Sequence, residues 1–228
     1  MNKTYCCSDL HGCLTLYNKI CERLDPSDKV YFLGDAGDRG PQSWETVKAI
    51  ASNPQWIYLS GNHEDMLVNA ASEKLDLEYF DDDVVDLLYY NGGYETLDGL
   101  LTSLYPEAWT ERLGLLPNYE EYINSKGQVM CLSHAGFSPS NQTPSMHDLI
   151  WSRSHFHDQW TGADNQFIIH GHTPTLYLAQ ELGVKCPEGA LRYADGHKID
   201  IDCGSFATHK TVLLDLDTLE EIIIQEED

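Results

Sequence analysis

A chain of 228 residues, 42% of them apolar and with no apolar run long enough to span a membrane, is sized for a single domain carrying at most an insert, here taken as residues 1–228. Its formal charge of −23 repels polyphosphate backbones, which argues against duplex nucleic acid as a partner and leaves any phosphate chemistry to a few arginines or bound cations. Seven cysteines (Cys6, Cys7, Cys13, Cys21, Cys131, Cys186 and Cys203) include no Cys-x-x-Cys pair, which argues against a disulfide framework or a structural zinc site. A cytoplasmic setting without a signal peptide is expected.

In chain order, Thr4 to Ser8 reads as a buried strand and Leu14 to Leu24 as a helix with Leu14, Tyr17, Ile20 and Leu24 near one face. Lys29 to Leu33 is a second strand, Gln42 to Ala51 a second helix and Trp56 to Ser60 a third strand. This alternation predicts an α/β fold with parallel pairing. Residues 65–127, rich in Leu, Glu, Asp and Tyr, read as a mainly helical insert, with Asp81-Asp82-Asp83 as a solvated helix start. Strands return at Val129 to Ser133, Phe167 to His170, Lys198 to Asp202, Thr211 to Leu216 and Glu221 to Gln225. The last three have no helix-length spacer, so they are expected to form an antiparallel or mixed second sheet.

Five strand ends carry metal-competent residues beside glycine. The first reads Ser8-Asp9-Leu10-His11-Gly12. In an extended segment Asp9 and His11 share a side, and a carboxylate beside an imidazole suits a divalent transition metal. The second is Gly34-Asp35-Ala36-Gly37-Asp38-Arg39-Gly40, and the third is Gly61-Asn62-His63-Glu64. Ser133-His134-Ala135-Gly136 and His170-Gly171-His172-Thr173 complete the set. Each alone is a turn, an ion pair or a helix cap. Together they point to one crevice, because strand ends of an open α/β sheet converge there.

This ordered set resembles the calcineurin-like metallophosphoesterases, and within them the compact bacterial and phage branch of the phosphoprotein phosphatases typified by the lambda phage phosphatase. Trp151-Ser152-Arg153 and Asn91-Gly92-Gly93-x-x-Thr96-Leu97 resemble further segments of that group. The resemblance implies a sandwich of two mixed sheets flanked by helices. It implies two divalent ions, manganese first with iron or zinc also suited, with a hydroxide between them as nucleophile. Asp9, His11 and Asp35 would hold one ion, and Asp35, Asn62, His134 and His172 the other. His63 would be the general acid oriented by Asp38, and Arg39 and Arg153 would clamp phosphate oxygens. The implied activity is a phosphomonoesterase on phosphoserine, phosphothreonine or small esters. The alternative is a dinucleoside polyphosphate hydrolase, whose base-stacking surface would come from Tyr79, Tyr89, Tyr90 and Tyr94 of the insert; a catalytically dead scaffold is disfavoured because every motif residue is present. The resemblance places the protein in bacterial cytoplasm, or host cytoplasm if phage-encoded, without eukaryotic regulatory subunits.

Gly37 stands where the family usually carries Val or Ile, so the loop holding Asp38 is expected to be looser. Ser8 replaces a common Gly, a change that should be tolerated. His155 and His157, His147, His197 and His209 are expected on the surface, in turns or in packing, and His170 in the sheet. Tyr119 and Tyr122 are assigned to packing.

Overall fold

The first quarter of the chain alternates as its apolar periodicity predicts: β1 (Thr4–Cys7), α1 (Leu14–Arg23), β2 (Lys29–Phe32), α2 (Ser43–Ser52) and β3 (Trp56–Tyr58). These spans come from a computed structural model, which describes residues 2–76, 82–140 and 143–226. The insert follows as α3 (Asn62–Leu75), α4 (Asp82–Tyr90), α5 (Tyr94–Leu101) and α6 (Pro106–Gly114). Asp82 and Asp83 open α4, where acidic side chains suit the helix N-terminus; Tyr79 and Asp81 lie outside the described residues. The insert is not helical to its end. β4 (Glu120–Ile123) pairs antiparallel with β5 (Val129–Leu132) across a turn in which Gly127 takes a φ of +75°.

The remainder runs α7 (Met146–Ile150), β6 (Gln166–His170), α8 (Thr175–Leu182), β7 (Leu191–Tyr193), β8 (Lys198–Asp200), α9 (Ser205–Thr208), β9 (Lys210–Asp215) and β10 (Glu221–Gln225). One five-stranded sheet has the order β10-β9-β1-β2-β3 and the other β4-β5-β6-β8-β7. The pairs β1–β2, β2–β3, β5–β6 and β6–β8 are parallel, and the pairs β1–β9, β9–β10, β4–β5 and β7–β8 antiparallel. The expectation for the last three strands is therefore corrected. β8 joins the second sheet beside β6, while β9 and β10 cross to the first sheet beside β1. The crossing is made at α9, between left-handed Gly204 (φ +68°) and left-handed His209 (φ +55°), which redirect the chain within a few residues.

Side-chain alternation sorts each central strand between two apolar layers. Tyr5 and Cys7 of β1 pack with Leu16, Ile20, Val47 and Ile50 of the helices, whereas Cys6 faces Met130, Leu132, Ile169, Ile199 and Leu214 between the sheets. Cys131 turns to the outer face of the second sheet with Phe137, Leu149 and Ile150. All seven cysteines are free and five are buried, as small hydrophobes.

Candidate metal centre and phosphate pocket

The motif residues follow the C-terminal ends of the parallel strands in both sheets. Asp9 and His11 follow β1, Asp35, Asp38 and Arg39 follow β2, Asn62 and His63 open α3 after β3, His134 follows β5 and His172 follows β6. All but Arg39 and Arg153 are buried. The strand geometry expected for Asp9 and His11 is not the one found. Both are left-handed, with φ of +52° and +43°, so they lie in a tight turn beyond the strand. Asp35 (+60°), Asp38 (+67°), Arg39 (+67°) and His172 (+71°) share that conformation. Six of the ten non-glycine residues with positive φ among the described residues are thus candidate site residues, which concentrates backbone strain at this crevice.

Asp35 lies at the centre. Its Oδ1 accepts the His63 backbone N–H (3.0 Å) at the start of α3. Its Oδ2 faces Nε2 of His134 (3.4 Å), His11 (3.6 Å) and His63 (3.8 Å). Burial would raise this carboxyl, but His134, His63 and His11 hold it well below the usual carboxylate range. Glu64, whose role the sequence reading left open, shapes the turn beneath it. This buried carboxylate accepts the backbone N–H groups of Asp35 (2.7 Å), Ala36 (2.9 Å) and Gly61 (2.8 Å) and the Tyr58 hydroxyl (2.7 Å).

Three histidines are locked in one tautomer by backbone carbonyls. His11 Nδ1–H donates to Gly37 O (2.9 Å), His134 Nδ1–H to Leu33 O (2.8 Å) and His172 Nε2–H to Trp151 O (3.1 Å). When deprotonated, the other ring nitrogen of each turns a lone pair towards the carboxylate and amide oxygens, the arrangement that orients metal-binding imidazoles. His172 Nδ1 lies 2.8 Å and His134 Nε2 2.9 Å from Asn62 Oδ1. Two groups, His11-Asp35-His63 and Asp35-His134-His172, have ligand atoms close enough to share an ion. Asp9 Oδ1 is buried with no hydrogen-bond partner among the described residues, while its Oδ2 accepts the His172 N–H (3.1 Å). An orphan carboxylate oxygen beside lone-pair imidazoles fits divalent cations, and the mixed nitrogen and oxygen donor set suits a transition metal. Gly171 is required here, because a Cβ would come within 2.1 Å of Asp9 Oδ2.

His63 differs from these three. Its Nδ1–H donates to a carboxylate, Asp38 Oδ2, at 2.6 Å. Burial lowers its pKa, but Asp35 and the Asp38 hydrogen bond outweigh that and raise it above the ordinary value. The Gly37 loop is not loose. A Cβ on Gly37 would come within 2.9 Å of Thr96 Cγ2 and 3.1 Å of Val47 Cγ2, so Thr96 from α5 fills the space a larger residue would take.

Arg39 reaches Nε2 of His11 (2.7 Å) and of His63 (2.8 Å), and Arg153 donates from Nε to Thr173 Oγ1 (2.8 Å). Both line a cavity of about 640 Å³ with His172, Phe156, Tyr177 and Phe206. Tyr89, Tyr90 and Tyr94 do not line it; they sit exposed on α4 and α5, and the aromatic wall comes instead from α8, α9 and the loop after Arg153. Phe206 stacks under the Arg39 guanidinium, 5.6 Å from ring centre to Cζ. The sequence reading also missed Asp202, buried just past β8, whose carboxyl is pushed up to about 6 by burial and nearby Asp35 against the Gly204 N–H that it accepts. An apolar strand followed by Asp-Cys-Gly was the available signal.

The remaining histidines stand apart. His155 is buried, donates from Nε2 to Ala135 O (2.7 Å) and meets buried Lys198; burial holds its pKa down to about 4. His157 pairs with Glu181 on the surface, and His209 with Glu226. His170 is enclosed in the sheet between Gly171 O and the Tyr193 hydroxyl. His197 stacks on Trp160 and Phe167, and His147 is exposed on α7. Tyr119 packs edge-on against Phe137 and Tyr122 against Tyr31. No helix among the described residues is long and apolar enough to cross a membrane.

A family model described as calcineurin-like phosphoesterase matches residues 3–203. A symmetrical bis(5'-nucleosyl)-tetraphosphatase of Dechloromonas aromatica (strain RCB) is 29% identical over 140 residues, covering 60% of this chain and 44% of that protein. The chain thus spans less than half the length of that relative in the matched region. Among solved structures, a candidate diadenosine tetraphosphatase superposes with a TM-score of 0.66 at 15% identity, covering 98% of this chain and 93% of that one. A serine/threonine phosphatase of Saccharomyces cerevisiae superposes with a TM-score of 0.55 at 15% identity, covering 98% and 79%. At these identities the two superpositions speak for the fold alone.

Proposed function

The chain belongs to the calcineurin-like phosphoesterase family, and on that premise we propose that it is a metal-dependent hydrolase of dinucleoside polyphosphates rather than of phosphoproteins. The observation that carries the choice is the aromatic wall. Tyr177 and Phe206, 61% and 43% exposed, flank the cavity that also presents Arg39, Arg153 and His172. A flat nucleobase can stack there while its phosphates reach the arginines. The tetraphosphatase relatives support the same choice.

In this reading Asp9, His11 and Asp35 hold one cation, and Asp35, Asn62, His134 and His172 a second, with manganese as the first candidate. Two such cations, when bound, supply positive charge for the phosphoryl oxygens and lower the pKa of water. Arg39 and Arg153 grip the non-reacting oxygens with planar forks. His63 delivers a proton to the leaving oxygen while Asp38 fixes its ring. Two divalent ions, two arginines and the carboxylates of Asp9 and Asp35 leave the pocket net positive, which draws in phosphate despite the −23 overall charge.

The test is a comparison of kcat/KM on a dinucleoside tetraphosphate, a phosphopeptide and an aryl phosphate, with manganese and with chelator. The tetraphosphate is expected to be preferred, and chelation to abolish all three rates. Tyr177→Ala is expected to lower the tetraphosphate rate by roughly 5- to 150-fold more than the phosphopeptide rate, since base–aromatic stacking is worth about 1–3 kcal/mol. A phosphopeptide preference would reverse the substrate assignment, and full activity without metal would end the two-cation reading.

A further inference from the structure

We propose that Thr96, in the first turn of α5, is a positioning residue that aims His63 through Asp38, so that the helical insert is part of the catalytic apparatus and not only a cap. The inference rests on the proposed role of His63. The Asp38 carboxylate has two oxygens and each has one dedicated partner. Oδ2 accepts the His63 Nδ1–H at 2.6 Å, and Oδ1 accepts the Thr96 hydroxyl. The same hydroxyl oxygen accepts the Asp38 backbone N–H at 3.0 Å. Thr96 therefore holds Asp38 at the main chain and the side chain at once, and both residues are 1% exposed, so water does not substitute for either bond.

Asp38 has reason to need this support. It and Arg39 are both left-handed at φ +67°, a conformation that non-glycine residues keep only when their surroundings impose it. The insert supplies those surroundings. Beside the two Thr96 bonds, the Arg39 N–H donates to Gly92 O (3.1 Å) in the turn between α4 and α5. Gly37 completes the fit, since its missing side chain leaves room for the Thr96 methyl. A carboxylate held at both oxygens has one orientation, and so does the imidazole bonded to it.

Thr96→Val keeps the shape and removes the hydroxyl, whereas Thr96→Ser keeps the hydroxyl. Two readouts are compared in the metal-loaded enzyme, the rates with manganese and the proton signal with diamagnetic zinc. The first is kcat on an alkyl ester, with a poor leaving group, and on a nitrophenyl ester, with a good one. Thr96→Val is expected to lower the alkyl rate by about tenfold or more and the nitrophenyl rate by less than about threefold, with Thr96→Ser close to wild type on both. The second is the far-downfield proton signal of the short His63–Asp38 bond, identified by its loss in His63→Asn. It is expected to shift or broaden in Thr96→Val and to stay in Thr96→Ser. An unchanged signal in Thr96→Val, or a Thr96→Ser variant as impaired as Thr96→Val, overturns the proposal. If His63→Asn slows both esters equally while the signal still responds to Thr96→Val, the positioning role stands and the acid role of His63 falls.

Discussion

Asp35→Asn is expected to reduce turnover by about 10³–10⁴, because the charge stabilisation each cation supplies is worth several kcal/mol and 1.36 kcal/mol is a factor of ten. One Asp35 oxygen faces three imidazoles, from two segments of the first sheet and one of the second. An amide keeps the shape but presents no negative charge, and its NH₂ would point a donor at ring nitrogens or at the cations. Both cation positions should therefore empty together. Asp9→Asn, which touches the group from one side only, should weaken one position and spare most of the other. Metal content per chain, measured beside kcat, checks this. Two ions retained in Asp35→Asn would contradict the bridging assignment.

His63→Asn is expected to keep both cations and to cost about 10²–10⁴ in kcat on a substrate with a poor leaving group, the range typical of a lost proton donor. On a nitrophenyl ester the loss should be far smaller, since that leaving oxygen needs little protonation. Burial disfavours the protonated ring, but Asp35 and Asp38 outweigh it and raise its pKa. The rate should fall as pH rises through the His63 pKa, and Asp38→Asn, which removes the hydrogen-bond partner of the protonated ring, should move the fall to lower pH. Rates on the two esters across pH decide the matter. An equal loss on both would mean that His63 shapes the pocket without donating a proton.

Much of this candidate site is legible in the sequence because its residues sit on a repeated local device. A short apolar strand ends, an Asp, Asn or His follows, and a glycine lies just before it (Asp35, Asn62, His172) or within three residues after it (Asp9, His134). Asp202 obeys it too, yet it lacks the neighbouring histidine that drew attention elsewhere. The backbone of Asp9 and His11 was misjudged because strand alternation was carried past the last ladder bond, into residues whose φ is positive. Strand partners were harder still. β8, β9 and β10 are neighbours in sequence, but the left-handed residues flanking α9 send the latter two to the other sheet, and apolar patterning carries no mark of that choice. The tyrosines of the insert leave a base-stacking surface open because they cluster in sequence. Tyr177 and Phe206 come from separate helices and meet only in the folded cavity. Gly37 was misread for a related reason, since its partner Thr96 lies 59 positions away and the compensation between them is invisible to either residue alone.

The proposed ligands come from both halves of the sandwich: Asp9, His11, Asp35 and Asn62 after strands of one sheet, His134 and His172 after strands of the other. A cation held by Asp35, Asn62, His134 and His172, as proposed, would tie together two layers that otherwise meet mainly through apolar contact. Its binding free energy is then also folding free energy, because the unfolded chain has no such cage. Each position filled at a hundred times its dissociation constant adds about 2.7 kcal/mol to global stability. Cation supply would thus set the equilibrium stability of the sandwich as well as the rate of turnover.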